Sequence, residues 1–177
     1  AVSLGVPPEM ANSGQGMTIL DVCSGSGIGA AAMSWILPNA SVVMLDINQN
    51  MKLDHVANNK RGNLEFMFLN LVTKEAPARL SEISKRANAR GDICIAIGMH
   101  LCYALSPRFI ELCAHLDSIA AFAVCPCCLR PNWSHIGAHV SRTVKRTGGS
   151  KYDVLLDTLY NLCASELGER GEVSLRR

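Results

Sequence analysis

Between Met17 and Gly29 the chain reads MTILDVCSGSGIG, an apolar stretch with Asp21 near its end that passes without a linker into closely spaced glycines. Short apolar runs of this kind form buried strands, and a glycine-dense turn lets backbone reverse where side chains would clash. The segment therefore reads as strand, glycine turn, helix. Downstream, Ile28, Ala32, Trp35 and Ile36 recur at the spacing of one helical face, and Pro38 with Asn39 closes that helix. A strand feeding a helix through such a turn is the first half of a βαβ unit, which calls for a parallel partner strand.

The partner follows. Residues 41–45, SVVML, are rich in β-formers and close at Asp46, and Asn48 is placed to cap a helix reaching Lys60, where Arg61 and Gly62 break it. Residues 64–69 predict a third strand ending at Asn70, residues 76–89 a charged helix, and Gly91 with Asp92 the turn into a fourth strand over 93–97. After GMHLCYAL, Ser106 is read as a helix cap with Pro107 at the first helical position and Phe109, Ile110, Cys113 and Leu116 as the apolar face. A fifth strand over 118–124 runs into CPCC. Asp153 opens a further helix with Leu155, Leu159, Leu162 and Cys163 on one face, and residues 172–175 could begin another strand. Such alternation predicts an α/β fold, a doubly wound, mostly parallel Rossmann-like sheet with helices on both faces, open to truncation at its C-terminus. The expected division is an N-terminal extension over 1–16 and one domain over 17–177. A loop-rich insertion at about 129–150 interrupts it, where Pro131, Gly137, Gly148 and Gly149 break every pattern.

Composition narrows the class. A chain of 177 residues, 49% of them hydrophobic, suffices for one substantial core. A net charge of +2 is too small for a chain that coats nucleic acid or lies on an anionic membrane, so any such partner must be recognised locally. No apolar run approaches the roughly 18 to 20 residues of a membrane span, and the N-terminus lacks a basic region followed by an apolar stretch. An intracellular protein, cytoplasmic or nuclear, with no membrane partner is expected. Of the eight cysteines, Cys23, Cys94, Cys113 and Cys163 sit inside apolar patterns as small hydrophobes, which fits a reducing compartment better than a disulfide framework. The start at Ala1 and the stop at Arg177 are read as those of an excised fragment whose flanking domains could carry specificity.

In a doubly wound sheet the ligand lies beyond the carboxyl ends of the strands, where Asp21, the glycine turn, Asp46, Asn70, His100 and CPCC would converge. Gly25, Gly27 and Gly29 let backbone approach a ligand, and an acid ending the second strand can accept both hydroxyls of a ribose, the role expected of Asp46. GSGIGA also satisfies the G-x-G-x-x-G/A dinucleotide fingerprint, so the turn alone does not separate NAD from S-adenosylmethionine (SAM). Asp21 favours SAM. A carboxylate just before the turn would repel a pyrophosphate but can engage, directly or through water, a cationic amino-acid end.

At this point the residues resemble class I SAM-dependent methyltransferases, with ILDVCSGSGIG similar to their first motif and VVMLDIN to their second, over most of the chain from about Met17. The resemblance implies SAM as cofactor, with Asp21, Cys23, Gly25 and Gly27 around its methionine moiety, Asp46 on its ribose with Ile47 alongside, and Asn70 with Leu71 by its adenine. Cys23 stands where that family usually has glycine. A narrower likeness comes from IGMHLCYALSPRFIELC followed by AFAVCPCC. It resembles a methyltransferase-like group that includes a tRNA 2'-O-methyltransferase and the Rossmann domain of the glutathione S-transferase C-terminal-domain-containing protein. The chain departs from that group at Tyr103, where a small residue is usual, and it lacks the cysteine-histidine zinc modules of the tRNA enzyme.

Methyl transfer is an in-line displacement that requires an aligned acceptor lone pair and, for a hydroxyl, removal of a proton. His100 is the candidate base, weighed against a histidine bonded to loop backbone. Cys127 is the candidate thiol nucleophile of the kind cytosine C5 methylation would need. Cys125, Cys127 and Cys128, with Cys102 and His100, are zinc-ligand types, but a C-x-C-C turn lacks paired C-x-x-C knuckles, so no metal is assigned and the thiols are expected to line the pocket floor. Neither the Asn/Asp-Pro-Pro-aromatic loop of amino-methylating enzymes nor the Lys-Asp-Lys-Glu tetrad of many ribose methylases is evident. Residues 118–152 carry Arg130, Arg142, Lys145, Arg146 and Lys151 without an Asp or Glu, while the rest of the chain is net acidic. With Trp133 able to stack on a base, Arg130, Trp133, Arg142 and Lys145 are candidate contacts to RNA or tRNA, against the alternative of a solvated basic loop. The expected activity is methyl transfer from SAM with RNA the favoured acceptor. A catalytically silent SAM-binding scaffold and an NAD-dependent oxidoreductase are the open alternatives.

Overall fold

The computed structural model describes residues 7–126 and, beyond them, residues 143, 145, 146, 148, 154, 157, 158 and 161. Strands β1 (Met17–Val22), β2 (Ser41–Asp46), β3 (Leu64–Phe68), β4 (Ile93–Met99) and β5 (Ala121–Cys125) alternate with helices α2 (Ile28–Ile36), α3 (Asp54–Ala57), α4 (Ala76–Ala89) and α5 (Leu105–Ala114), after a first helix α1 (Pro8–Ser13). The sheet order is β3-β2-β1-β4-β5 and every pair is parallel. The chain winds outward from β1 to β3, then crosses back and continues through β4 to β5, so the winding reverses between β1 and β4. This is the predicted doubly wound sheet with helices on both faces.

The two faces follow from the alternation of side chains along each strand. On one face Leu20, Val22, Val43, Leu45, Cys94 and Ala96 pack beneath α4 and α5 through Leu80, Ile83, Ala87, Phe109, Ile110 and Cys113. Phe109 meets Phe122 edge to face at 5.8 Å between ring centres. On the other face Val42, Met44 and Leu64 pack with Ala30, and Met17, Ile19 and Ala40 pack with Met10 of α1. β1 is buried along its whole length, as a central strand covered on both faces must be.

Several expectations change. The segment assigned as an N-terminal extension contains α1, which is too short to show a helical period. Its Ser13 carbonyl accepts the Asn39 N–H at 2.8 Å, and the following Gly16 carbonyl accepts the Ile93 N–H at 2.8 Å. The outward face of α2 is the apolar one. Trp35 is 73% exposed, Ile28 and Ile36 are exposed with it, and the helix instead buries Ala30 and Ser34. Met44 and Val42 pack against Ala30 beneath the helix, with Ala31 and Met33 partly buried beside them. The helix expected from Asn48 to Lys60 contracts to α3, because the Asn48 side chain caps a turn by accepting the Asn50 N–H at 3.0 Å. Ser106 is not the cap of α5: its hydroxyl donates back to the Leu101 carbonyl at 2.8 Å, and the helix begins at Leu105. Val154, Asp157, Thr158 and Asn161 are helical, and Val154 joins the α4–α5 core. Leu155, Leu159, Leu162, Cys163 and the strand expected over 172–175 lie outside the described residues.

Candidate functional site

The reversal of winding leaves a crevice at the carboxyl ends of β1 and β4, and the register sets what lines it. Asp21 pairs with Met44 and Ile97 across the sheet, and Asp46 pairs with Phe68, so the ends of β1, β2, β3 and β4 stand nearly level. Backbone leaving β1 enters the left-handed region at Cys23 (φ 58), Gly25 (φ 54) and Gly27 (φ 73). The turn over 24–27 is closed by the Gly27 N–H donating to the Ser24 carbonyl at 3.0 Å.

Two of these glycines do different things. A side chain at Gly27 would run into Met44 and His55, so the turn can lie against β2 and α3 only without a Cβ. A side chain at Gly25 would meet nothing within 4 Å, so the space over the turn is open. At Gly29 a Cβ would stand 3.7 Å from the Asp21 carboxylate, an ordinary contact, so the acid lies close under the first turn of α2 without depending on glycine there.

Asp46 is the staple of the turn. Its Oδ2 accepts the Gly25 N–H and its Oδ1 accepts the Asn48 N–H, each at 2.9 Å. A carboxylate offers about four lone-pair directions, so two bonds leave acceptor capacity for hydroxyls. Asp21 is only 4% exposed. Burial pushes its carboxyl up to about 6, the Ala30 backbone N–H pulls it partly back, and the negative charge of Asp46 raises it again. An extra positive charge in the crevice would relieve both acids. Burial, then Asp46 and Asp21, push the Cys23 thiol up to about 11, so it is an uncharged thiol at neutral pH.

The residues predicted for the adenine end separate. Asn70 is half-buried and forms a local turn, its side-chain oxygen accepting the Val72 N–H at 3.2 Å. The Leu71 side chain is in the core, 2% exposed, so only its backbone can face a ligand. Ile47 is exposed beside Asp46, and Phe68 and Val72, which sequence reasoning passed over, are also exposed at the ends of β3 and its loop. Large apolar side chains left in solvent at the carboxyl edge of a sheet suit a flat apolar ligand surface. Their signal was hidden because Phe68 reads as one more strand hydrophobe.

On the β4 side, His100 takes φ 59 and its N–H donates to the Cys125 carbonyl at 2.8 Å, which ties the ends of β4 and β5. Cys102 is half-buried and its thiol donates to the His100 carbonyl at 3.3 Å. Cys125 is exposed at the end of β5, while Cys94 and Cys113 are buried, as their apolar setting predicts. Among the described residues no group of three or more His, Cys, Asp or Glu is arranged to hold a metal. Lys145 is helical and exposed. Cys127, Cys128, Arg130, Trp133 and Arg142 lie outside the described residues.

Two further atoms bear on a ligand. The Ser24 hydroxyl oxygen and His55 Nε2 are buried without a hydrogen-bond partner, and both flank the glycine turn. Neither was singled out from the sequence, because an orphaned polar atom is a property of packing. A buried hydroxyl seeking a partner, open space over Gly25 and spare acceptor capacity on Asp46 fit a polar nucleoside ligand.

A parallel sheet whose winding reverses beside a glycine turn, with Asp21 near the end of β1 and Asp46 at the end of β2, is consistent with a Rossmann-like methyltransferase fold. A family model described as a methyltransferase domain matches residues 5–131, most of the chain, and the chain belongs to that family. A search of the curated proteins returned no match. No helix among the described residues is long and apolar enough to cross a membrane.

Proposed function

We propose that the chain binds SAM in the crevice between β1 and β4 and transfers its methyl group to RNA, with tRNA a candidate substrate. The observation that carries the cofactor is the open, side-chain-free turn at Gly25 held by Asp46, with Asp21 beneath it. SAM bound there would supply a methyl group on a sulfonium, ready for in-line transfer. Asp46 would accept ribose hydroxyls while still anchoring the turn. Asp21 would sense the ligand's positive charge from under α2, through the field or a water, since Ala30 already occupies part of its carboxylate. Cys23 would contribute a neutral wall. His100, at the joined ends of β4 and β5, is the residue assigned to take a proton from the acceptor. The RNA assignment is supported by the basic, acid-free composition of residues 118–152 and by the likeness of the HLCYAL and CPCC segments to a group that includes a tRNA enzyme. Cys127, Arg130, Trp133, Arg142 and Lys145 are proposed on that ground alone.

Calorimetric titration with SAM, its demethylated product and NAD tests the cofactor, and incubation of labelled SAM with total RNA and with protein extract tests the acceptor. Binding of SAM and its product without NAD, followed by label in RNA, is expected. Binding of NAD alone would overturn the reading in favour of an oxidoreductase, and SAM binding without transfer to either pool would favour a silent scaffold. Asp46→Ala is expected to weaken SAM by about 1 to 3 kcal/mol, the scale of hydrogen bonds to a charged group, with loss of the Gly25 anchor pushing it to the upper end.

A further inference from the structure

The helical stripe that the sequence marks as a core face, Ile28, Ala32, Trp35 and Ile36, is the exposed face of α2. Its three large side chains are 77%, 73% and 70% exposed in chain order. They follow one side of the helix for roughly 12 Å, from the end of the glycine turn to the last helical residue. Apolar side chains scattered singly over a surface need no explanation, but a contiguous stripe that includes an indole has the composition of a contact patch.

Beside the stripe stands a guanidinium held in one place. Arg61 Nη1 donates to the Ser34 carbonyl at 3.2 Å and to the Trp35 carbonyl at 3.0 Å, and its guanidinium carbon lies 4.7 Å from the centre of the Trp35 ring. The end of α2 does not depend on these bonds alone, because Asn63 Nδ2 donates to the Ser34, Pro38 and Ala40 carbonyls. Arg61 is exposed, only its Nη1 is engaged, and no carboxylate pairs with it among the described residues. The planar guanidinium fork matches a carboxylate through two parallel N–H donors, and here it is already ordered against the indole.

We infer that the outer face of α2 is a docking surface for a protein partner, which lays the apolar side of an amphipathic helix over Ile28, Trp35 and Ile36 and sets a carboxylate on Arg61. Charge decides the occupant. The sequence of α2, IGAAAMSWI, holds no charged residue, so two copies packed through this face would bring no acid to Arg61 and would bury a guanidinium unpaired. Helices that lie on membranes present a polar face rich in Lys and Arg, which α2 lacks. A partner helix with one acid beside its apolar side satisfies both the stripe and the guanidinium. The inference stands apart from the SAM and RNA readings, since it uses a helix face and not the ends of the strands.

The probe is a displayed library of amphipathic helical peptides, randomised on the apolar side and at the flanking positions, selected on the full chain. Enriched peptides are labelled with fluorescein and their binding to the parent, Trp35→Ala and Arg61→Glu is read by anisotropy. They are expected to carry Asp or Glu beside the apolar side and to bind each variant at least about tenfold more weakly, the scale of an interface anchor. Changing the peptide acid to Lys should weaken binding to the parent and restore most of the loss with Arg61→Glu, a rescue that an unfolded variant would not give. Absence of enrichment overturns the inference, as do peptides that bind Trp35→Ala or Arg61→Glu as well as the parent, or a charge exchange without rescue. Self-association in sedimentation that Trp35→Ala abolishes overturns it in favour of a second copy. Binding to vesicles of phosphatidylcholine and phosphatidylserine that Trp35→Ala abolishes overturns it in favour of a membrane.

Discussion

Asp21 sets the stability of the fold against its proposed role in one side chain. Its carboxyl rises from an ordinary 3.8 to about 6 because it is buried beside Asp46. The folded chain therefore holds that proton more tightly than the unfolded chain does. Below pH 3.8 the group imposes no penalty, and as pH rises through about 6 the folded state loses up to about 3 kcal/mol from ionising it. Asp21→Asn is thus expected to raise urea stability near pH 7 by up to that amount, with the gain fading as pH falls toward 4, while SAM affinity drops. A gain independent of pH would assign it to something other than the charge. The glycines make a complementary pair. Gly25→Ala carries only the left-handed strain of roughly 1 to 2 kcal/mol, yet places a methyl in the open space and should block SAM. Gly27→Ala adds overlap with Met44 and His55 to the same strain, so its loss should be about 2 to 5 kcal/mol in chemical unfolding.

At the scale of elements, the strand ends were legible and the helix faces less so. Strand runs bounded by Asp21, Asp46 and Asn70 announce themselves because each stops at a polar residue followed by a turn. The face of α2 was not legible, since Ile28, Trp35 and Ile36 form a better apolar stripe than Ala30 and Ser34, and packing against Val42, Met44 and Leu64 decides which is buried. Arg61 then lies over the outward Trp35 ring at 4.7 Å. The β4–α5 loop is the element where packing and site are most tightly joined. Gly98→Ala is expected to drive its methyl into Leu101, cost about 1 to 3 kcal/mol of stability, and lower methyl transfer more than SAM binding by shifting His100, the proposed base. Thermal unfolding beside initial-rate kinetics checks both, and an Ala variant with parental rate would show that the loop tolerates the shift.

For the whole molecule, the crevice exists because β4 returns to pair with the far edge of β1, bringing Asp21 and Ile97, 76 positions apart in sequence, to one edge. A ligand that binds only this assembled edge stabilises the fold by mass action. SAM at a hundredfold its Kd is expected to add about 2.7 kcal/mol and raise the Tm by roughly 5 to 11 °C for a chain of this size, and the Asp46→Ala variant should show a smaller rise at the same concentration. No rise for the parent chain would place the nucleoside elsewhere. By itself the sequence determined the order of strands and helices, the polar residues that end the strands and the glycines that turn the chain, because these are written in neighbours a few residues apart. Tertiary structure alone decided that Asp46 anchors the glycine turn, that Leu71 belongs to the core, that α2 turns Ile28, Trp35 and Ile36 outward and that His100 takes a left-handed backbone. Each of those depends on what a distant segment places opposite, and a pattern read along one strand or helix carries no record of its partner.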